Sequence, residues 1–158
     1  LNLPPDKRGL IHENDVSSLM NMQRILRKTF EKNLIAGAGV SSGNINRLVD
    51  GRLDTYWQGS PGKNVLEISF DGDQVFDRLL LQENITEGQR IEQFVLECLV
   101  GDSWIPVTEG TTIGYKRILR FDLVRCSKAR IVVRESRDVP QISEIGFYKA
   151  SGEEAMTE

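Results

Sequence analysis

The chain has 158 residues, 39% of them apolar and 27% charged, with a formal net charge of −3. That length fits one domain with room for an additional segment. The mild acidic balance without a basic stripe argues against a nucleic-acid partner, and no apolar run approaches the roughly 20 residues that a membrane-spanning helix needs.

The chain opens on Leu1 rather than Met, without a leader-like segment, and reads as part of a longer polypeptide. Residues 1–31 differ in pattern from the rest. Leu1-Asn2-Leu3 is a short apolar piece, Pro4-Pro5-Asp6-Lys7-Arg8-Gly9 is a turn, and Asn14 or Asp15 is placed to cap a helix running to about Phe30. On a 3.6-residue period Val16, Leu19, Met20, Leu26 and Phe30 share one face, with Met22 at its edge. Such a stripe needs a partner, either in the following module or in a part of the polypeptide not included here.

Residues 32–150 change to short alternating strands separated by turns, the pattern of an all-β sandwich. Leu66, Ile68 and Phe70 form one strand face that ends at Asp71-Gly72-Asp73, and Leu79 and Leu81 alternate in the next strand. Phe94, Leu96, Cys98 and Val100 share a face that leads through Gly101-Asp102-Ser103 into Trp104–Val107, a hairpin. Leu119, Phe121 and Leu123 predict another inward row, and Arg130–Arg134 and Glu144–Tyr148 supply the closing strands. Residues 151–158 read as a loose polar tail.

Few motifs carry chemistry. Gly39-Val40-Ser41-Ser42-Gly43 matches the G-x-S-x-G nucleophile elbow, but the elbow needs a helix after it and a later His as base. The single His12 lies upstream and the polar Asn44-Ile45-Asn46 follows, so the match is a coincidence. Retaining glycosidases need two carboxylates about 5–5.5 Å apart, a spacing that sequence cannot set. The pattern of Cys98 makes it a small core hydrophobe in preference to a disulfide partner of Cys126. Neither cysteine has zinc-site spacing. Asn84-Ile85-Thr86 is a glycosylation sequon to which we attach no weight. In Arg47-Leu48-Val49-Asp50-Gly51-Arg52-Leu53-Asp54-Thr55-Tyr56-Trp57, an Asp-Gly turn followed by a Thr offers hard oxygen donors of the kind calcium takes. The plain alternative is an ordinary turn followed by a core aromatic.

This stretch, together with Ser143-Glu144-Ile145, resembles the discoidin or coagulation-factor type C domain, a fold shared by the family 32 carbohydrate-binding modules. The resemblance implies a jelly-roll β-sandwich and a structural calcium ion. The ion would take main-chain oxygen from Arg47, Arg52 and Ser143, carboxylate from Asp50 and Glu144, and hydroxyl and carbonyl from Thr55.

A second resemblance covers Leu1 to about Ala150. Leu1–Asp15, the phrases Leu81–Ile85 and Gly88–Ile91, and Thr112–Arg117 are similar to bacterial α-L-fucosidases of glycoside hydrolase family 29. It implies that residues 1–31 are the last strand and helix of a catalytic (β/α)8 barrel, which would be the intramolecular partner. The parent's catalytic residues would then lie upstream and leave this segment inert, and its location would be periplasmic or extracellular.

Two roles remain open at this level. The first is sugar binding, with terminal galactose- or fucose-type sugars held by loop residues Glu83, Asn84, Gln89, Arg90, Tyr115, Lys116 and Arg134. The second is a purely structural domain that packs on the barrel. An ordinary solvated residue or local salt bridge is the plain reading of each loop position. Trp57 is expected in the core, and Trp104 half exposed at a hairpin edge.

Overall fold

A computed structural model describes residues 4–152. The expected strand Leu1-Asn2-Leu3 and the tail from 153 onward lie outside the described residues. The described chain forms two compact units, one of residues up to Lys32 with Ala150–Gly152, the other Asn33–Lys149.

In the smaller unit, Asp6 closes the proline-rich turn by accepting the Arg8 and Leu10 N–H groups at 2.8 and 3.1 Å. Helix α1 spans Glu13–Phe30 and begins earlier than the expected Asn14 or Asp15 cap. His12 is extended and its Nδ1 accepts the Asn14 N–H at 3.2 Å, so an imidazole does the capping that a hydroxyl or carboxylate usually does. Glu13 and Asp15 in the first turn and Arg27 and Lys28 in the last complement the helix dipole. The helix has no 18-residue window apolar enough to cross a membrane. Val16, Met20, Met22 and Leu26 of the apolar stripe are all exposed, Met20 by 62%, whereas Leu19 and Phe30 are partly withdrawn. Thr29 is buried, and its hydroxyl accepts the Ser151 N–H at 3.1 Å. The start of the expected loose tail is therefore tied to the helix.

The larger unit is mostly β. Strands β1 (Gly39–Val40), β2 (Trp57–Gln58), β3 (Val65–Glu83), β4 (Ile91–Val100), β5 (Ser103–Gly110), β6 (Arg117–Ser136) and β7 (Gln141–Tyr148) form one antiparallel seven-stranded sheet. Its order is β2-β7-β3-β6-β4-β5, with β1 on β3. Segments expected as separate strands are joined. β3 runs through Asp71-Gly72-Asp73, with its register to β6 interrupted between Ser69 and Gln74. The first half of β3 pairs with the second half of β6 beside β4, and the second half of β3 pairs with the first half of β6 beside β7. Phe70 and Phe76 both meet the Phe147 ring, at 5.2 and 4.9 Å between centroids, and join these halves through one core. The arrangement is consistent with a β-sandwich.

The rows Leu66-Ile68-Phe70, Leu79-Leu81 and Phe94-Leu96-Cys98 are buried as expected. Two positions depart. Val100 is exposed at the hairpin end. Leu123 is 57% exposed, and Val124 packs against the core in its place. The change of face coincides with a register shift: Phe76 faces Val124 but Arg78 faces Arg120, so the pleat of β6 is interrupted between the two. The hairpin turn is Gly101-Asp102, and Gly101 takes φ 59°, which a side chain would resist. Pro106 sits on β5, which pairs only with β4, and an edge strand is where a residue without an N–H is tolerated.

Candidate functional site

The start of β7 is where the sequence-predicted residues gather. Asp50-Gly51 is a turn in which Gly51 takes φ 72°. Asp50 Oδ1 accepts the Arg52 N–H at 2.9 Å, an Asx turn. The Thr55 hydroxyl lies 2.9 and 2.8 Å from the two Asp50 oxygens. From β7, Glu144 Oε2 accepts the Gly51 N–H at 3.1 Å. Asp50, Thr55 and Glu144, far apart in sequence, therefore stand together.

Burial pushes the Glu144 carboxyl above its ordinary value; the Gly51 N–H opposes this, the Asp50 charge adds to it and Lys116 eases it. The exposed Asp50 and the half-buried Glu144 thus stand close to one hydroxyl. Ser143 is the bulged residue of β7: Gln82 pairs with Glu144 and Glu83 with Ile142, which leaves Ser143 outside the register. Its hydroxyl donates to the Gln82 carbonyl at 3.3 Å. Arg47 lies in a 3₁₀ turn, Ile45–Leu48, and is exposed. The Arg52 guanidinium is engaged by Asp54 at 2.7 and 3.0 Å.

Among the described residues no cluster of three or more His, Cys, Asp or Glu occurs. The side-chain donors here are two carboxylates and a hydroxyl. They are all hard oxygens, a chemistry that fits calcium and not a soft metal.

The residues expected to contact sugar divide into two groups. Glu83 is 1% exposed, and its carboxylate accepts three main-chain N–H groups: Arg90 at 3.0 Å, Ile91 at 2.9 Å and Gly114 at 2.8 Å. Its own N–H donates to the Gly114 carbonyl at 3.0 Å. Asn84 is buried, donates to Gln141 Oε1 at 3.0 Å and accepts from Thr86, so the sequon amide is spent inside the fold. Arg90 reaches the Val139 carbonyl at 2.9 Å and Glu87 at 2.7 Å. These three residues present little to solvent, a different duty from the one expected. Gln89, Tyr115 and Lys116 are exposed beside them, Tyr115 by 58%. Arg134 lies on β6 and pairs with Glu109 at 3.8 Å.

Gln141 closes the 135–141 loop, a candidate for sugar contact in the sequence, but the sequence does not single it out as a site residue. It is buried and also donates to Glu87 at 3.2 Å, so it links β7 to the 83–90 loop. A lone amide between Pro140 and Ile142, in an otherwise apolar run, was the available signal. Trp57 is in the core as expected, with its indole N–H on Ser42 at 2.8 Å. Ser41 of the G-x-S-x-G match only extends the β1–β3 pairing, since its hydroxyl accepts the Glu67 N–H at 3.1 Å. Trp104 is partly buried, with the Arg130 guanidinium 4.3 Å from its ring centroid.

Fold and site together define an antiparallel β domain with an acidic, oxygen-rich loop end. No protein-family model matches the chain. Along nearly its whole length it is homologous to α-L-fucosidases of glycoside hydrolase family 29. Alpha-L-fucosidase 1 of Arabidopsis thaliana is 37% identical over 175 residues, 99% of this chain and 34% of the relative. The crystal structure of SpGH29 superposes with a TM-score of 0.88 at 31% identity, covering 96% of this chain and 35% of that one. A Ruminococcus gnavus family 29 fucosidase in complex with fucose gives a TM-score of 0.81 at 31% identity over 96% of this chain and 33% of that one. The chain thus spans about a third of these relatives, in their C-terminal region. The likeness extends to a plant and a bacterium and singles out neither source.

Proposed function

We propose that this chain is a non-catalytic accessory region of a family 29 α-L-fucosidase, and that its sandwich is a structural domain supporting the catalytic part. In this reading residues 1–31 end the (β/α)8 barrel, 32–150 form a discoidin-type jelly roll, and the catalytic residues lie outside the chain. The observation that carries it is the saturation of the loop end. Glu83, Asn84 and Arg90 are spent on main-chain groups and on Gln141, Val139 and Glu87, which makes a rigid frame and not a receptive pocket. The exposed Val16-Met20-Leu26 stripe of α1 is also the kind of surface that a barrel would cover. An exported, periplasmic or extracellular location accompanies this reading.

The second reading is a sugar-binding module, favoured by one feature: Tyr115 and Lys116 are exposed on the loop whose Gly114 lies near the exposed amide of Gln89. Such a trio could lay an aromatic face on sugar carbons and bond hydroxyls. Isothermal titration of the chain with fucose, galactose and N-acetylgalactosamine, in calcium, separates the two. The structural reading expects no saturable heat. Saturable binding that Tyr115→Ala abolishes would replace it with the second.

Either reading includes a structural calcium ion. Asp50, Glu144, Thr55 and the main-chain oxygens of Arg47, Arg52 and Ser143 would hold it. What supports this is the approach of the Asp50 carboxylate to the half-buried Glu144, whose carboxyl it helps to raise, and the bulge that takes Ser143 out of the ladder. The ion would join the 47–55 loop to β7.

A further inference from the structure

The chain contains two Asp-Gly steps, Asp50-Gly51 and Asp71-Gly72, and the fold treats them differently. In such a step the glycine nitrogen can attack the aspartate side-chain carboxyl, because no side chain on the second residue stands in the way. At Asp50 both reacting groups are engaged. The Gly51 N–H donates to Glu144 Oε2 at 3.1 Å. The Asp50 carboxylate accepts the Arg52 N–H at 2.9 Å, and its oxygens lie 2.9 and 2.8 Å from the Thr55 hydroxyl. At Asp71 the strand leaves its ladder. Ser69 pairs with Lys128 and Gln74 with Cys126, so residues 70–73 stand against the single Ser127. Phe70 keeps its ring in the core, 5.2 Å from that of Phe147, whereas Asp71, Gly72 and Asp73 are exposed. Gly72 takes φ 80°, and an added Cβ there would meet nothing within 4 Å. Gln74 Nε2 reaches the Asp71 carbonyl at 3.4 Å, but among the described residues the Asp71 carboxylate has no hydrogen-bond or ion-pair partner.

We propose that Asp71 is a site of spontaneous isoaspartate formation, and that the fold protects Asp50 from the same change. The Gly72 nitrogen attacks Asp71 Cγ and a five-membered imide closes. The carboxyl oxygen leaves as water, with the amide proton and the proton of the carboxyl group. Water then adds to one of the two imide carbonyls. Opening at the side-chain carbonyl restores aspartate. Opening at the main-chain carbonyl leaves the backbone running through Cβ and Cγ, with the free carboxylate on Cα. One water is lost and one is regained, so the mass is unchanged and no oxidant or other co-reactant is needed.

The same reaction at Asp50 first has to break the bond from Gly51 to Glu144. Giving up a hydrogen bond to a charged acceptor slows the step by about tenfold or more. The register gap also decides what the product costs. Isoaspartate adds one carbon to the main chain, which inside a paired strand would displace every later partner. Residues 70–73 already stand outside the β3–β6 ladder, so the added carbon is taken up there and the pairs from Gln74 with Cys126 onward stay in place.

The test is to age the folded chain at neutral pH and body temperature for several weeks, beside a sample unfolded in urea. Both are digested, and the isomeric peptides are separated and assigned by electron-transfer fragmentation. In the folded chain isoaspartate is expected at position 71, with about a tenth of that level or less at position 50 and an unchanged melting temperature. In urea the two positions are expected to react alike. Glu144→Ala removes the acceptor of the Gly51 N–H and is expected to raise the level at 50 while leaving 71 as it was. Thr55→Val, which releases the Asp50 carboxylate, gives the same reading if that variant does not fold. No isoaspartate at 71 in the folded chain, equal amounts at the two positions, or more at 50 would each overturn the proposal. An unchanged level at 50 in a folded variant would overturn the protection of Asp50 by its hydrogen bonds.

Discussion

Glu83 shows how much one side chain can organise. Its carboxylate accepts three N–H groups from two loops while buried at the end of β3. Hydrogen bonds to a charged acceptor are worth about 1.5–3 kcal/mol each, and an unmatched donor costs more than the bond it replaces. Glu83→Gln preserves the shape but turns an amide N–H₂ toward a main-chain donor. We expect it to cost about 3 kcal/mol in urea unfolding, and a loss below about 1 kcal/mol would remove Glu83 as the hub. Asp50 and Glu144 belong to the same scale. At a hundredfold excess over its dissociation constant, calcium should add about 2.7 kcal/mol to the folded state. Chelation should therefore lower the melting temperature by about 5–10 °C, and Asp50→Ala or Glu144→Ala should remove that sensitivity. Identical melting curves with and without chelator in the wild type would discard the ion.

Elements are shaped by close approaches that no propensity scale contains. Gly110, at the end of β5, pairs with Phe94 of β4. A Cβ at Gly110 would lie 2.6 Å from Phe94 Cζ and 2.8 Å from Cε1, and Phe94 is fully buried with no room to move. Gly110→Ala should cost about 1–3 kcal/mol by overpacking. Gly39, on the short β1, has nothing within 4 Å of an added Cβ, so Gly39→Ala should stay within about 0.5 kcal/mol. Equal denaturation midpoints for the two variants would contradict this account. Helix α1 makes the complementary point. Its caps and charges suit a helix standing alone, yet its apolar residues face solvent. That combination fits an element made to be covered.

For the molecule as a whole, the chain matches about a third of the length of several fucosidases. Sheet and loop end form one polar-tied system: β7 holds the 47–55 loop through Glu144 and the 83–90 loop through Gln141, and Glu83 holds the 111–117 loop. A domain tied in this way suits support better than capture, and the sugar titration decides between them.

Local rules carried the sequence reading a long way. Period-two rows identified the core faces of β3 and β4, the Gly101-Asp102 turn identified the hairpin, and Asp50 and Thr55 are close enough in the chain for their donors to be read as one loop. They failed where two distant strands had to agree on a register. Leu123, expected in an inward row, faces solvent beside the point where the β3–β6 register shifts. Glu83 and Asn84 looked like solvent-facing loop groups, because nothing nearby in the sequence announces the N–H of Gly114 or the amide of Gln141. Strand rows and turns follow from each residue's neighbours in the chain. The pairing of a buried polar side chain with its partner follows from how distant strands and loops are brought together, and only the folded sheet sets that.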